Sequence, residues 1–333
     1  MNICICGGGN LGHVITGFVA AKKEYEVSLL TRRPEQWNKT LHIHTPEDKM
    51  IEGTLQQITS NPAEVIPQAD IVLLCLPGYG IVDTLQTILP YLKPQTPVGS
   101  VVSSTGFFFE AMRLLPETTP LFGFQRVPFI ARVEDYGKSA YLLGYKPSLS
   151  MAVERGDGTV LAGIIEKLLD TPVSLLANYY EVSLTNSNPL LHTSRLYSMW
   201  HDWHEGVVYP VQPQFYSDWT DKASQLLIDM DAEFFRLLEV LPVTPGSIPT
   251  VLDYYESTDA ASLTCKLQSI EAFKGLLSPM KKVGDGFVPD FQSRYFTEDF
   301  PYGLAIIHRL MQEHHIDGPH IQQVYDWGSS LNA

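Results

Sequence analysis

The chain carries little positive charge. Among its 333 residues, 37 aspartates and glutamates outnumber 23 lysines and arginines, and the formal net charge at pH 7 is −14. Nucleic acids and anionic membrane surfaces bind to basic faces of proteins. The composition therefore predicts neither a nucleic-acid partner nor a membrane partner, and it leaves room for a local basic pocket that binds a small anion.

Cysteines are few, and long apolar runs are absent. Cys4, Cys6, Cys75 and Cys265 show neither the spacing of a zinc site nor that of a disulfide framework. No stretch approaches the roughly 20 apolar residues of a membrane span, and the first residues do not form a secretory signal. These absences predict a protein of a reducing compartment, the cytoplasm.

The histidines do not predict a metal site. His201 and His204 stand three residues apart, and His42 and His44 alternate on a strand-like segment. The HExxH pattern is missing, and a zinc ion needs three or four ligands. We therefore expect no bound metal.

What the sequence does contain is a glycine-rich turn directly after a short apolar run. Ile3–Cys6 is followed by the pattern G-x-G-x-x-G at Gly7–Gly12, which then continues into helical apolar spacing. In a dinucleotide-binding fingerprint the first glycine makes the tight turn, the second lets the backbone approach a pyrophosphate, and the third lets the helix pack closely. The N–H groups at the helix start face the phosphates. The candidate cofactor-binding residues here are Gly7, Gly9, Asn10, Leu11 and Gly12.

Strand-like and helix-like segments alternate through the first half, which predicts a mostly parallel sheet covered on both faces. From about Glu181 helical periodicity dominates. The fold class is therefore α/β: an N-terminal Rossmann-type, doubly wound parallel sheet at 1–180, followed by an all-helical C-terminal domain at 181–333. The predicted strands are Ile3–Cys6, Val27–Leu30, Ile71–Leu76, Val98–Val102, Ala140–Leu143, Met151–Val153 and Val173–Leu176. The predicted helices include Leu11–Lys22, Ile81–Leu92, Phe108–Leu115, Val160–Leu169, Thr220–Leu241 and Tyr302–His315.

The end of the second predicted strand bears on the choice between NAD and NADP. NAD sites usually place an acid there for the ribose hydroxyls, whereas this chain has Thr31, Arg32 and Arg33. Guanidinium groups pair with phosphate in a bidentate fork, so these residues favour NADP, with NAD possible. Pro77 closes the third predicted strand, at the sheet edge where cofactors bind.

Two polar segments of the second half can supply acid–base chemistry. One contains Asn188 and His192, and the other runs from Arg294 through Asp299. A dehydrogenase needs a proton donor, and histidine titrates near neutral pH. A carboxylate such as Asp299 can hold the tautomer, and Arg294 can grip a substrate carboxylate. The second segment is expected to be a polar, aromatic loop that leads into a helix starting near Pro301.

Three segments together, GGGNLGH, NPLLH and RYFTEDFPYGL, resemble the octopine/nopaline (opine) dehydrogenase family. The resemblance implies reductive condensation of a 2-oxo acid with the amine of an amino acid, through an imine reduced by a nicotinamide hydride. It places the family's catalytic histidine on His192, its carboxylate partner on Asp299 and its substrate-gripping arginine on Arg294. Thr193 follows the histidine, at a position where family members often have proline. We expect this difference to matter little for the chemistry.

Substrate contacts beyond Arg294 are less constrained by the pattern. Asn188 is a candidate for positioning nicotinamide or substrate, and Gln125, within Gly123–Arg132, is a candidate contact of the 2-oxo acid. A homodimer is possible.

Two other functions stay open at this point. The first is a ketopantoate-reductase-like or 3-hydroxy acid dehydrogenase. Such enzymes typically use a lysine early in the helical domain, and none occurs between Glu181 and Asp221. The second is a non-catalytic nucleotide sensor, which would have no need of the His192, Arg294 and Asp299 set.

Overall fold

Two units make up the chain, and the computed structural model describes residues 1–331 of it. The first unit is Met1–Ser183, and the second begins at Leu184. The boundary at 180/181 that the sequence suggests for the functional domains stays a prediction.

Twelve strands of the first unit form two sheets. In chain order they are β1 Asn2–Cys6, β2 Glu26–Leu30, β3 Thr40–His44, β4 Met50–Thr54, β5 Gln57–Thr59, β6 Ile71–Leu74, β7 Val98–Ser100, β8 Leu121–Phe124, β9 Phe129–Asp135, β10 Ser139–Tyr145, β11 Leu149–Glu154 and β12 Val173–Leu175. The main sheet has the order β12-β11-β8-β7-β6-β1-β2-β5, and the second sheet has the order β4-β3-β10-β9.

The main sheet is parallel except where β8 meets β11. β1 lies in its interior, and Ile5 pairs with Leu29 on one side and Leu73 on the other. Four consecutive residues of β1 and all of β6 are buried, as expected for strands covered on both faces. The predicted Rossmann-type sheet is confirmed.

The second sheet differs from the sequence prediction. Ala140–Leu143 is a strand, but it belongs to this sheet and not to the parallel one. The segment Gly123–Arg132, which contains the candidate Gln125, comprises the end of β8, a turn and the start of β9. The alternation of buried and exposed residues along β9 and β10 is that of a sheet with one face in solvent.

Five helices complete the first unit: α1 Asn10–Ala20, α2 Ile81–Ile88, α3 Phe107–Leu114, α4 Gly158–Leu169 and α5 Tyr180–Ser183. The α2 helix ends before the predicted Leu92, because Pro90 follows and the chain continues as a 3₁₀ turn at Leu89–Tyr91. The side chain of Asp157 caps α4 by accepting a hydrogen bond from the Val160 N–H.

The second unit is helical, with α6 Asn188–Trp200, α7 Asp221–Val240, α8 Val251–Tyr254, α9 Ala260–Ser269, α10 Ala305–Glu313 and α11 Pro319–Ser330. A π-helix spans Tyr295–Leu304. The prediction of a loop that leads into a helix near Pro301 is therefore wrong, because the segment is already helical from Tyr295 and Pro301 lies inside the π-helix. One antiparallel hairpin, β13 Met280–Val283 and β14 Gly286–Pro289, adds strands that the sequence does not predict.

Two glycines allow the second sheet to lie directly on α1. A Cβ atom at Gly53 of β4 would lie 2.1 Å from the Gly17 carbonyl oxygen of α1, and one at Gly17 would lie 2.6 Å from Ile43 Cγ1. Contacts this short leave no room for a methyl group. The absence of side chains at both positions therefore sets how closely the sheet approaches the helix.

We expect Gly53→Ala to destabilise the protein by about 1–3 kcal/mol, the usual cost of overpacking. Gly163→Ala is the matched control, because Gly163 lies in α4 and its added Cβ would meet no atom within 4 Å. That control should stabilise the helix by about 0.5–1 kcal/mol, the helix-propensity difference. Urea denaturation followed by circular dichroism measures both. Equal unfolding midpoints for the two variants would contradict the packing account.

Candidate active site

A cavity of about 760 Å³ lies in the first unit at the carboxyl ends of β1, β2 and β6. Its walls include the segments that directly follow these strands: Gly7–Gly9, Thr31–Arg33 and Cys75–Pro77. In parallel sheets of this kind, ligands bind outside the carboxyl ends of the strands.

The glycine-rich turn has the geometry that a bound pyrophosphate requires. Gly7 has a φ of +116°, and a Cβ atom there would lie 2.5 Å from the Cys75 carbonyl oxygen. A Cβ atom at Gly12 would lie 2.2 Å from the Gly7 carbonyl oxygen, so α1 packs tightly on the turn. At Gly9 no atom lies within 4 Å of the Cβ position, which leaves open space over the backbone at the start of α1. The residues present therefore fit a dinucleotide.

Six of the nine predicted cofactor-binding residues line this cavity: Gly7, Gly9, Thr31, Arg32, Arg33 and Pro77. Arg32 and Arg33 are exposed, and Thr31 is buried. The other three, Asn10, Leu11 and Gly12, do not line it. The Asn10 side chain accepts a hydrogen bond of 2.9 Å from the Val133 N–H, so it links α1 to β9.

The second sheet also contributes to the cavity, which the sequence does not predict. Tyr136, in the turn between β9 and β10, lines it. A Cβ atom at Gly8 would lie 3.0 Å from the Tyr136 hydroxyl and 3.3 Å from the Thr31 hydroxyl. Both hydroxyl groups therefore lie close to the backbone of the glycine-rich turn.

His13 holds the β9–β10 turn in this place. Its Nε2 accepts a hydrogen bond of 2.8 Å from the Gly137 N–H, so Nδ1 carries the hydrogen and donates to the Gly9 carbonyl oxygen at 2.9 Å. The ring stacks on Trp37 with centroids 4.1 Å apart. Burial lowers the pKa of His13, which favours the neutral ring that these bonds need. The sequence indicates this role of His13 only through its position directly after Gly12.

In the second unit, His192 and Asp299 form a hydrogen-bonded pair. His192 Nδ1 lies 2.8 Å from Asp299 Oδ2, and the two side chains are 13% and 16% exposed. His192 Nε2 lies 3.0 Å from the hydroxyl of Tyr216, a residue that the sequence does not single out. A carboxylate only accepts hydrogen bonds, so Nδ1 carries the hydrogen, and in a neutral ring Nε2 then accepts from the phenol.

The π-helix brings Asp299 to His192. A Cβ atom at Gly303 would lie 2.7 Å from Cγ of Pro189 at the start of α6, so only a glycine permits this close approach. Tyr295 lies one turn before Asp299 and presents its ring to the His192 ring, with centroids 4.8 Å apart. π-Helical segments occur frequently at functional sites.

The segment before α6 is anchored by a buried carboxylate. The Asn186 side-chain amide donates hydrogen bonds to Asp231 Oδ1 at 2.7 Å and to the Pro249 carbonyl oxygen at 2.8 Å. The other Asp231 oxygen accepts from the Val251 N–H at 2.9 Å. Asn186 thus fixes the chain that leads into α6 and has a structural role.

Arg294, Asn188 and Gln125 have different surroundings. Arg294 directly precedes Tyr295; it is exposed, and within residues 1–331 it forms no ion pair or hydrogen bond. Asn188 is the exposed first residue of α6. Gln125 follows β8 in the first unit, and its side-chain amide donates to the Glu181 carbonyl oxygen at 2.8 Å. Within residues 1–331, neither the Arg294 side chain nor the Asn188 side chain forms a hydrogen bond to the side chains of His192 and Asp299.

Of the three aromatic residues Tyr197, Trp200 and Trp203 that follow His192, one is buried and two are half-buried. Trp200 is buried and stacks on Phe296, whereas Trp203 contacts Phe291 and Tyr197 stacks on His201.

Among residues 1–331, no group of three or more histidines, cysteines or acids has the arrangement of a metal site. No helix in the described part of the chain is long and apolar enough to cross a membrane.

Comparison with protein families gives two matches. Residues 175–332 match the family model described as NAD/NADP octopine/nopaline dehydrogenase, alpha-helical domain. Residues 3–105 match the model described as ketopantoate reductase PanE/ApbA. The first match lies on the unit that contains His192 and Asp299, and the second on the part that contains the glycine-rich turn.

Individual relatives span nearly the whole chain. A tauropine dehydrogenase from Arabella iricolor is 28% identical, with 99% of this chain and 91% of the relative covered. A solved octopine dehydrogenase with NADH and L-arginine has a TM-score of 0.88 at 22% identity, covering 99% of this chain and 89% of that one. A yersinopine dehydrogenase with bound NADP+ has a TM-score of 0.69 at 14% identity, with coverages of 99% and 90%. The resemblance to octopine/nopaline dehydrogenases that the sequence indicates is thus confirmed, most directly for the helical residues 175–332.

Proposed function

We propose that this protein is a nicotinamide-dependent oxidoreductase of the opine dehydrogenase type, which joins a 2-oxo acid to the amine of an amino acid. The observation that carries the proposal is the His192–Asp299 pair, with Nδ1 and Oδ2 2.8 Å apart, in the region that matches the alpha-helical domain of octopine/nopaline dehydrogenases. We assign cofactor binding to residues 1–180 and substrate binding to residues 181–333.

His192 is the proposed proton donor. Because Nδ1–H points to Asp299, Nε2 is the basic nitrogen of the neutral ring. A proton on Nε2 gives an imidazolium, which the Asp299 carboxylate stabilises at the opposite nitrogen. The pair can therefore take up a proton and release it again while the ring keeps its orientation.

The proposed reaction has two stages, formation of an imine and its reduction to a secondary amine. The amine nitrogen bonds to the 2-oxo carbon, and both amine hydrogens leave with the carbonyl oxygen as water, which gives an imine. When bound, the nicotinamide supplies a hydride to the imine carbon. His192 supplies one proton from Nε2 to the nitrogen, which completes the secondary amine.

The remaining proposed contacts follow from charge and exposure. Arg294 is an exposed cation without an ion-pair partner in residues 1–331, and its guanidinium suits the carboxylate of the 2-oxo acid. Asn188 and Gln125 stay proposals as polar contacts of nicotinamide or substrate.

The free thiols Cys4, Cys6, Cys75 and Cys265 suit a reducing compartment, and we propose the cytoplasm. A homodimer also stays a prediction.

NADP is the proposed cofactor. Arg32 and Arg33 line the cavity at the end of β2, where an NAD site usually has an acid. Both side chains are exposed and can pair with a 2′-phosphate. The related solved structures hold NADH in one case and NADP+ in another, so relatives use both forms.

The proposed function predicts that NADPH oxidation requires two substrates together. A pool of 2-oxo acids and a pool of amino acids should each give no turnover alone and should support loss of absorbance when combined. Product analysis should show a secondary amine that joins the two. Turnover with 2-oxo acids alone would instead indicate a hydroxy acid dehydrogenase, and tight cofactor binding without any turnover would indicate a sensor.

We expect His192→Gln to lower kcat/KM by about 10²–10⁴-fold, the usual contribution of a general acid. Cofactor affinity should stay unchanged, since His192 lies outside the cavity at the glycine-rich turn. His201→Gln is the matched control, because His201 is an exposed histidine at the end of the same helix. Steady-state kinetics and fluorescence titration with NADPH give the two quantities. Full activity in His192→Gln would refute the assigned role.

Replacing both Arg32 and Arg33 by alanine should weaken NADPH binding by about 10–100-fold, the equivalent of one or two charge-assisted hydrogen bonds. NADH binding should change little, because NADH lacks the 2′-phosphate. Arg113→Ala serves as the control, since Arg113 pairs with Glu110 and does not line the cavity. Equal losses for both cofactors would show that the arginines do not select NADP.

A further inference from the structure

Tyr216 is the partner of His192 for which the proposed function has no assignment. Its hydroxyl lies 3.0 Å from His192 Nε2, while Asp299 holds Nδ1 at 2.8 Å. We propose that Tyr216 is a positioning residue: it fixes the imidazole in the orientation that makes Nε2 the nitrogen that carries the transferred proton. This inference rests on the proposed function.

Two hydrogen bonds at opposite ring nitrogens fix an imidazole in a way that one cannot. With Asp299 alone, the His192 ring could still swing about the Nδ1···Oδ2 contact. The second bond, from the Tyr216 hydroxyl, removes that freedom and selects the tautomer with hydrogen on Nδ1. In water this ring would be free to exchange between both tautomers.

The Tyr216 ring is itself held firmly. It is 5% exposed and stacks on Phe273, with centroids 4.0 Å apart and planes 16° from parallel. Trp219 lies parallel to it at 6.0 Å. Burial and stacking therefore keep the Tyr216 ring in place, with its hydroxyl beside His192 Nε2.

Helix α6 carries His192 and also holds the segment that contains Tyr216. Arg195 stands three residues after His192 and donates hydrogen bonds to the Phe215 carbonyl oxygen at 3.1 Å and the Asp218 carbonyl oxygen at 2.7 Å. These carbonyl groups flank Tyr216 in sequence. The guanidinium is buried over the Trp219 ring, 5.5 Å from its centroid. The helix that carries the histidine therefore also anchors the segment that carries the tyrosine.

A hydroxyl suits both protonation states of the ring. It donates to the neutral Nε2, and it can accept from Nε2–H once the ring is protonated. Burial raises the pKa of the Tyr216 phenol well above its usual value, so the phenol keeps its own hydrogen at neutral pH. Tyr216 thus holds the ring before the transfer and does not exchange a proton itself. Because Nε2 has a single in-plane site, the substrate nitrogen takes the place of the hydroxyl when the proton passes.

The other groups around the His192 ring cannot replace this contact. Phe215 and Tyr295 pack edge-on against the ring, with centroids 5.6 Å and 4.8 Å away. The Tyr295 hydroxyl forms no hydrogen bond to His192 in the described structure. Tyr295→Phe is therefore a matched control for Tyr216→Phe: each removes one phenol hydroxyl beside the same histidine.

The experiment combines nitrogen NMR of ¹⁵N-histidine-labelled protein with kinetics. The His192 signals are those missing in His192→Gln. We expect Tyr216→Phe to move the Nε2 signal towards that of an imidazole nitrogen without a hydrogen-bond donor, while Tyr295→Phe leaves it in place. In the two-substrate assay, kcat of Tyr216→Phe should fall by about 10-fold, the equivalent of one hydrogen bond. KM should change little, because the hydroxyl acts through His192.

The outcomes distinguish the role of Tyr216 from the proposed function. An unchanged Nε2 signal in Tyr216→Phe would overturn the proposal, and so would a rise in KM at constant kcat, which would make Tyr216 a substrate contact. The expected shift together with the fall in kcat would support it. If the wild-type protein turned over no substrate pair, the proposed function would fall, and the Nε2 signal would still decide whether Tyr216 holds the ring.

Discussion

The second unit depends on a close approach between two backbones, that of α6 at Pro189 and that of the π-helix at Gly303. The hydrogen bond between His192 and Asp299 depends on this close approach. With a methyl group at position 303 the two segments would have to separate, and the 2.8 Å bond between His192 and Asp299 could not form with the same geometry. The wider turn of a π-helix also carries Tyr295 and Asp299 on the side that faces His192. A small residue and an unusual helix thus place the acid–base pair.

Glycines also permit a close backbone approach in the first unit. Glycines let the second sheet lie on α1, and His13 ties the β9–β10 turn to the glycine-rich turn through its two ring nitrogens. This bond pattern requires a neutral ring, which burial favours. The added sheet therefore belongs to the cofactor cavity as well as to the fold, because it presents Tyr136 beside Thr31.

Much of this arrangement is readable from the sequence, and the unreadable part has physical causes. Short apolar runs locate the buried parallel strands, because strands covered on both faces have no alternation to obscure them. The His192–Asp299 pair follows from residue chemistry and family resemblance. The π-helix leaves no such signal, and a proline at 301 argues for a helix start instead of a helix interior. Tyr216 lies in an irregular segment, so no periodicity points it towards His192. Contacts made by irregular segments depend on tertiary packing, which periodicity does not encode.

Net charge and local charge also lead to different conclusions here. The chain carries a formal charge of −14, yet the cavity proposed for a cofactor with several phosphates has Arg32, Arg33 and the glycine-rich turn before α1 in its walls. Its lining includes one carboxylate, that of Asp83 in α2. Because salt screens exposed charges beyond about 8 Å at physiological ionic strength, distant acids contribute little to the potential inside the cavity. Guanidinium groups and helix N–H groups in direct contact set that potential instead. An acidic protein can therefore bind a polyanion, provided that its cations stand where the phosphates lie.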